Sequence, residues 1–296
     1  MQKGYALSIV LWIVAAMGAI ALFLSSLAKE RIHIAQEIDN KIKATLKAQE
    51  SLDLVLFYGS TGRFYLNQML NAHVEDLNIP NALYIDGRTL VLNESNVTLT
   101  DGGALYNLLF PYGESIGKEL GEESVFSESL YDWMDEDTFL QLNGAEDDYY
   151  QQISDNGYES RDKRAIQDVA ELGLIKGVDR QKLAPIKKDF LYTWAIRINL
   201  ATTTDEKLYT LLDLPKETME ELITLRQTDM MQFINKVNLV HSNDETFFEL
   251  FGFAPSKSLR VEISSKVGNA YAKINATIEL HYKNKERWIY KYTIED

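Results

Sequence analysis

Two groups of carboxylates carry the chemistry this chain could do. Asp135, Glu136 and Asp137 form the first, and Glu146, Asp147 and Asp148 the second. A loop containing Gly144 separates them. Hard cations such as Ca²⁺ take six to eight oxygens, commonly from loops of this composition. The spacing is not that of a twelve-residue EF-hand loop with a terminal Glu. Paired carboxylates also serve glycosidases, and Trp133, Tyr149 and Tyr150 nearby would suit a sugar. Nothing else in the chain suggests a sugar cleft, and such aromatics serve as core residues that pin a loop. A third reading is a solvated acidic face, the usual meaning of a charge run.

Other chemistry is limited by composition. There is no Cys, so thiol catalysis and disulfides are excluded. The four histidines, His33, His73, His241 and His281, lack the His-x-x-x-His spacing of a helical zinc site. Net charge is −14, and residues 114–160 hold 14 acidic residues against one basic residue, Lys118. The rest of the chain is nearly balanced. A concentrated acidic region repels phosphate backbones and argues against nucleic acid.

The elements that must position these groups begin with an apolar run. Tyr5 to Ala28 contains no charged residue and is long enough to cross a bilayer core of ~30 Å. A secretory signal would have a shorter run followed by its cleavage site; here the candidate processing residue, Gly4, precedes the run. Charge flanking the span decides little about orientation, since Lys3 faces Lys29 and Arg31 across it. Ile32, Ile34, Ala35, Ile38, Ile42, Leu46, Leu52, Val55 and Leu56 then recur at roughly helical spacing, so one helix is expected from Tyr5 to Tyr58, stopping at Gly59-Ser60-Thr61-Gly62. A hairpin is expected over Leu83–Leu92 with Asp86-Gly87 as its turn. Val97–Thr100 adds a strand closed by Asp101-Gly102-Gly103.

Residues 163–236 read as helical, with two helix–turn–helix blocks about 37 residues apart. They resemble helix-hairpin-helix modules. The second turn, Leu214-Pro215-Lys216, lacks the glycines that would expose N–H groups to phosphate, so protein packing is the better reading. The last third alternates apolar and polar residues in three runs around Val267-Gly268-Asn269 and Lys283-Asn284-Lys285. That pattern predicts an antiparallel meander with one buried face, and the long helix is its natural partner.

Four ordered motifs carry a family resemblance that covers essentially the whole chain. They are Lys3-Gly4-Tyr5-Ala6-Leu7 leading to Val10-Leu11-Trp12; Asp132-Trp133-Met134-Asp135-Glu136-Asp137 followed by Gly144-Ala145-Glu146-Asp147-Asp148-Tyr149-Tyr150; Val169-Ala170-Glu171-Leu172 through Lys176-Gly177-Val178; and Ile198-Asn199-Leu200-Ala201-Thr202. On these the chain resembles the type II secretion system minor pseudopilin K family. The resemblance implies an α+β fold: a pilin-like long N-terminal helix on an antiparallel sheet, with a large inserted all-helical (helix-hairpin-helix/SAM-like) domain. The corresponding divisions are 1–4 as prepilin leader, 5–28 as the transmembrane part of the helix, 29–113 as periplasmic helix and first strands, 114–240 as acidic loop and inserted helical domain, and 241–296 as the closing strands.

The implied role is non-enzymatic: a subunit at the tip of a periplasmic pseudopilus that exports folded proteins through the outer membrane. Implied partners are minor pseudopilins I and J, other pseudopilins, a prepilin peptidase cutting between Gly4 and Tyr5, and the inner membrane before assembly. The same resemblance implies methylation after processing, a cytoplasmic N-terminus, a periplasmic domain, and Leu27–Leu56 as the inter-subunit helix face. Ile9 stands where most pilin-like subunits carry a Glu that meets a neighbour's N-terminal amine. Its absence suits a subunit with no neighbour above it. The family's association with calcium adds to the carboxylate reading, and Asp135, Asp137, Glu146 and Asp147 are the expected Ca²⁺ ligands. The alternative is a minor pilin of a type IV pilus or DNA-uptake system, which shares the leader, helix and sheet but not normally the Gly-Ala-Glu-Asp block or the helical insertion.

Overall fold

The computed structural model describes residues 3–71, 79–108, 113–120, 123–153, 159–160, 166, 168–191, 197–244, 246–256, 258–283 and 286–295. Side chains are described for these except 3–7, 113–115, 119, 123, 281–283 and 286–295. Gly4 and Tyr5, the expected processing pair, therefore lie outside the described side chains.

One helix, α1 (Lys3–Thr61), opens the chain. At ~1.5 Å per residue it is roughly 90 Å long. Residues 8–39 are exposed on every side, and burial begins at Asn40 and Ala44. Beyond that point Ala44, Ala48, Leu52, Val55 and Tyr58 form one fully buried face, while Ile38, Ile42 and Leu46 point outward at 56, 54 and 56% exposure. The helix ends where the sequence suggested. Gly62 N–H donates to Tyr58 O at 2.8 Å, and a Cβ at Gly62 would sit 2.6 Å from that same oxygen.

The strands follow in two groups. β1 (Arg63–Tyr65), β2 (Gln68–Leu70) and β3 (Ala82–Tyr84) form a small antiparallel sheet. β4 (Asp86–Leu92) and β5 (Ser95–Asp101) open the main sheet. The expected Asp-Gly hairpin is not formed: β3 pairs with β2, and the hairpin is β4–β5. Its two-residue turn is Asn93-Glu94, both with positive φ, 48° and 62°, as a type I′ turn requires. That turn is held on α1: Asn93 Nδ2 donates to Glu50 Oε2 at 2.6 Å, and Lys47 pairs with Glu94. Gly87, at φ +83°, instead sits where the β4–β5 register shifts between Asp86 and Thr89, a bulge that glycine accommodates.

After β5 the chain leaves the sheet and returns to it at Ser258. Between lie β6 (Tyr106–Asn107), α2 (Gly113–Leu120), α3 (Glu123–Met134), α4 (Asp147–Gln152), α5 (Val169–Leu172), α6 (Arg180–Ile186) and β7 (Phe190–Leu191). Next come β8 (Ile198–Asn199), α7 (Asp205–Leu212), α8 (Lys216–Thr228), α9 (Met230–Val240), α10 (Phe247–Leu250) and β9 (Phe251–Gly252). The insertion has two apolar cores. One gathers Ile116, Phe126, Trp133, Tyr150, Leu172 and Phe190. The other gathers Leu208, Met219, Leu222, Phe233, Val237 and Phe251. Short parallel pairs, β6 with β7 and β8 with β9, close each set at its base.

The meander then appears as expected: β10 (Ser258–Val267), β11 (Ala270–Lys283) and β12 (Glu286–Glu295). The main sheet runs β12-β11-β10-β5-β4, antiparallel throughout. Its inward residues, among them Val97, Leu99, Val261, Ile263, Ala276 and Ile278, meet the buried face of α1 in a third core. Ala44 and Ala48 let the helix approach the sheet closely. At the β10–β11 turn a Cβ on Gly268 would lie 2.8 Å from Asn40 Nδ2, so the tip of the meander abuts α1 where the helix enters the body.

One carboxylate joins the sheet to the insertion. Asp101, fully buried at the end of β5, accepts from Gly103 N–H (3.2 Å), Ser256 N–H (2.8 Å) and Ser256 Oγ (2.6 Å) on Oδ1. Its Oδ2 accepts from Asn199 Nδ2 (2.8 Å) and Thr202 Oγ1 (3.0 Å). Asp101→Asn puts an amide against these donors and leaves buried groups unpaired, at about 1–3 kcal/mol for each group orphaned. The expected outcome in residues 29–296 is a melting temperature lower by roughly 5–10 °C, with Thr202→Val, which removes a single donor, falling by less. Equal melting of Asp101→Asn and the parent chain would show that the junction does not depend on this carboxylate.

Candidate functional site

The acidic residues are placed by the first core of the insertion. α3 presents Trp133 inward and Asp132 beside it, 1% exposed. The Trp133 ring meets Tyr150 of α4 edge-on at 4.8 Å, and its Nε1 donates to Glu171 Oε1 of α5 at 3.1 Å. These contacts fix the end of α3 against the start of α4, and the chain between them, 135–146, must close over a short distance.

Asp132 organises that closure. Its carboxylate accepts from Gln141 N–H at 3.2 Å. Gly144 packs directly on it: a Cβ there would lie 1.8 Å from Asp132 Oδ2, so no larger residue fits without moving the aspartate. Lys176 Nζ holds the loop from the other side, donating to Asn143 O at 3.1 Å and Gly144 O at 2.7 Å. Glu128 accepts from Asn143 N–H one turn earlier on α3.

The result is three carboxylates converging on one point. One oxygen each of Asp132, Asp135 and Glu146 lies within 4.8 Å of the others. Glu146 Oε1 is out of contact with solvent and has no hydrogen-bond partner. Burial pushes the Glu146 carboxyl up to about 7, reinforced by the negative charges of Asp132, Asp135, Asp147 and Asp137. Asp132 is also pushed up, first by burial, against the pull of the Gln141 and Ala145 N–H groups. Among the described residues neither Asp132 nor Glu146 pairs with a Lys or Arg. The arrangement concentrates negative charge where water cannot screen it fully. A cation is what such a site accommodates best.

Of the four expected ligands, the structure brings Asp135 and Glu146 together. Asp137 and Asp147 are turned to local work: Asp137 Oδ1 accepts from Phe139 N–H at 2.8 Å, and Asp147 Oδ1 accepts from Ser160 N–H at 2.7 Å. They contribute field rather than position. The residue that sequence reasoning missed is Asp132. Its signal was available, since Asp132 stands one helical turn before Asp135 and therefore on the same side as it.

The comparisons fall on this frame. Residues 113–188, which contain the cluster and the first helical core, match the model of the family described as Type II secretion system (T2SS), protein K. No curated protein matches the chain. Among solved structures, the chain is similar to one in the crystal structure of the GspK-GspI-GspJ complex from the enterotoxigenic Escherichia coli Type 2 Secretion System. The TM-score is 0.52 and the identity 16%, over 91% of this chain and 99% of that one. The chain therefore shares its fold with a component of that complex. The two findings agree: a segment of the chain matches the protein K family, and the fold as a whole is like that of a chain in a complex containing GspK.

The raised Glu146 carboxyl gives a prediction. Without metal, the folded chain holds this proton more tightly than the unfolded chain, whose carboxyl is near 4.5. Its contribution is therefore present below pH 4.5 and is lost as pH rises toward about 7. Glu146→Gln, which stays neutral, should lose less stability than the parent over that window in chelator-treated protein. Parallel pH–stability curves for the two would contradict the burial of this group.

Proposed function

We propose that this protein is a minor pseudopilin of the K type, seated at the tip of a type II secretion pseudopilus and taking part in the export of folded proteins. The observation that carries the reading is α1. Its first half is an apolar helix long enough to cross a membrane, and its second half packs on the sheet while Ile38, Ile42 and Leu46 stay uncovered on the far side. An apolar stripe continuous with a membrane span suits a helix that leaves the bilayer to pack among neighbouring helices. By analogy with the GspK-GspI-GspJ complex, the partners are the I- and J-type minor pseudopilins. On this reading Met1–Gly4 is a leader removed before Tyr5, the span anchors the subunit in the inner membrane, and the domain from residue 29 onward is periplasmic. Ile9, apolar where related subunits carry an acid, fits a tip position.

Ca²⁺ is the resident ion of the carboxylate cluster on this reading, with Asp132, Asp135 and Glu146 as its protein ligands. The fit rests on Glu146 Oε1, buried and without a hydrogen bond, and on an all-oxygen donor set. A bound Ca²⁺ would neutralise the cluster and order the 135–146 loop. Calcium at one hundred times its dissociation constant should stabilise residues 29–296 by about 2.7 kcal/mol. An Asp132→Asn/Glu146→Gln chain should show no such rise in melting temperature. No response to calcium in the parent, or an undiminished one in the variant, would remove the ion from this site.

The export role is tested in the source bacterium. Deleting the gene should stop release of type II substrates, and the parent gene should restore it. Ile38→Glu/Ile42→Glu should fail to restore it while melting like the parent, because both positions are solvent-exposed in the isolated fold. Full export by that variant would show that the stripe is not an assembly surface.

A further inference from the structure

The loop that closes over the carboxylates carries a second feature. Phe139, Leu140 and Leu142 are 79, 63 and 92% exposed. Single exposed apolar residues are ordinary. Three large ones within four consecutive positions are not, and outside α1 no other stretch of the described residues is so dense.

The backbone beneath them is clamped. Phe139 N–H donates to Asp137, Gln141 N–H to Asp132, Gly144 N–H to Gln141 O, and Ser129 Oγ to Asn143 O. Lys176 grips the carbonyls of Asn143 and Gly144. The loop thus presents its apolar side chains in a fixed arrangement, so little conformational entropy is lost when they are covered.

The exposed charge beside the loop restricts what can cover them. Glu136 and Asp137, just before the loop, and Asp148, just after it, are exposed and stand outside the Asp132–Asp135–Glu146 cluster, so a cation held there leaves their charge in place; the Lys176 ammonium is engaged with the carbonyls of Asn143 and Gly144. A second copy of this chain would set one acidic rim against another, because a two-fold contact uses the same patch on both sides. An anionic phospholipid surface would repel the rim in the same way. A protein surface of opposite charge satisfies both features.

We propose that Phe139, Leu140 and Leu142 form a docking loop for a protein other than this chain, one that offers an apolar pocket flanked by Lys or Arg. This surface is separate from the α1 stripe, so the proposal stands or falls independently of the helix packing described above.

The test uses the full chain in its own membrane. A photoreactive phenylalanine derivative replaces Leu142, and the peptide it captures is sequenced. The same label at Leu239, also exposed at 71%, is the control. The expected result is an adduct with another protein at a peptide bearing Lys or Arg beside apolar residues. Its yield should fall about tenfold with Phe139→Ser/Leu140→Ser in the background, in line with losing central anchors. Reversing the captured peptide's Lys or Arg to Glu should lower the yield comparably, and melting of the Ser variant should match the parent. Adducts only with a second copy of the chain, adducts only with phospholipid, a yield no greater than at Leu239, or a yield indifferent to these substitutions would each overturn the proposal.

Discussion

The structure depends on the buried carboxylate of Asp101. It sits where the sheet stops and the insertion begins, and it takes donors from three places: the turn that follows β5, the Asn199–Thr202 segment between the two helical cores, and Ser256 just before β10. Burial pushes this carboxyl up, and the donors from Ser256, Asn199 and Gly103 oppose that shift. Without a fixed polar centre, an excursion of this length between neighbouring strands β5 and β10 would have no defined exit and return. With it, the apolar core of α1 and sheet and the two helical cores hold a fixed relation. Lys207, 4% exposed, adds to the same junction by donating to Ala104 O at 3.4 Å and lying over the Tyr106 ring.

Much of this was legible in the residues, and what was missed has a common cause. Period-2 alternation located the meander, since β10 and the described part of β11 each turn one face inward, and β10–β12 fall where Leu259, Ile274 and Trp288 implied. The 3.6-residue repeat likewise gave α1 to within three residues at each end. Asp86-Gly87 misled because a dipeptide suited to positive φ serves a bulge as well as a turn. The true turn, Asn93-Glu94, owes its place to contacts with Glu50 and Lys47 more than forty residues away, which no local pattern encodes. Asp101 read as a turn residue for the same reason: its partners lie near positions 200 and 256. The two helical blocks were visible as repeats, but their separate cores were not, since apolar spacing names a face and not the face it meets.

The acidic segment shows the same division. Composition located it, and the Gly144 loop marked where it folds back. Geometry then sorted the carboxylates. Asp132, Asp135 and Glu146 converge, whereas Asp137 and Asp147 hold the backbone of the loop and the segment beyond α4. One short stretch thereby does two things at once. It gathers charge around a point suited to a cation, and it lifts Phe139, Leu140 and Leu142 into solvent on a rigid base. Asp132 belongs to both, through the cluster on one side and the Gln141 N–H on the other.

On the proposed function, this chain works by packing with I- and J-type pseudopilins. Mixing residues 29–296 with the soluble domains of those two proteins and running the mixture on a sizing column tests it most directly. The account predicts one earlier-eluting peak containing all three chains at micromolar concentration. Three separate peaks at that concentration would contradict it.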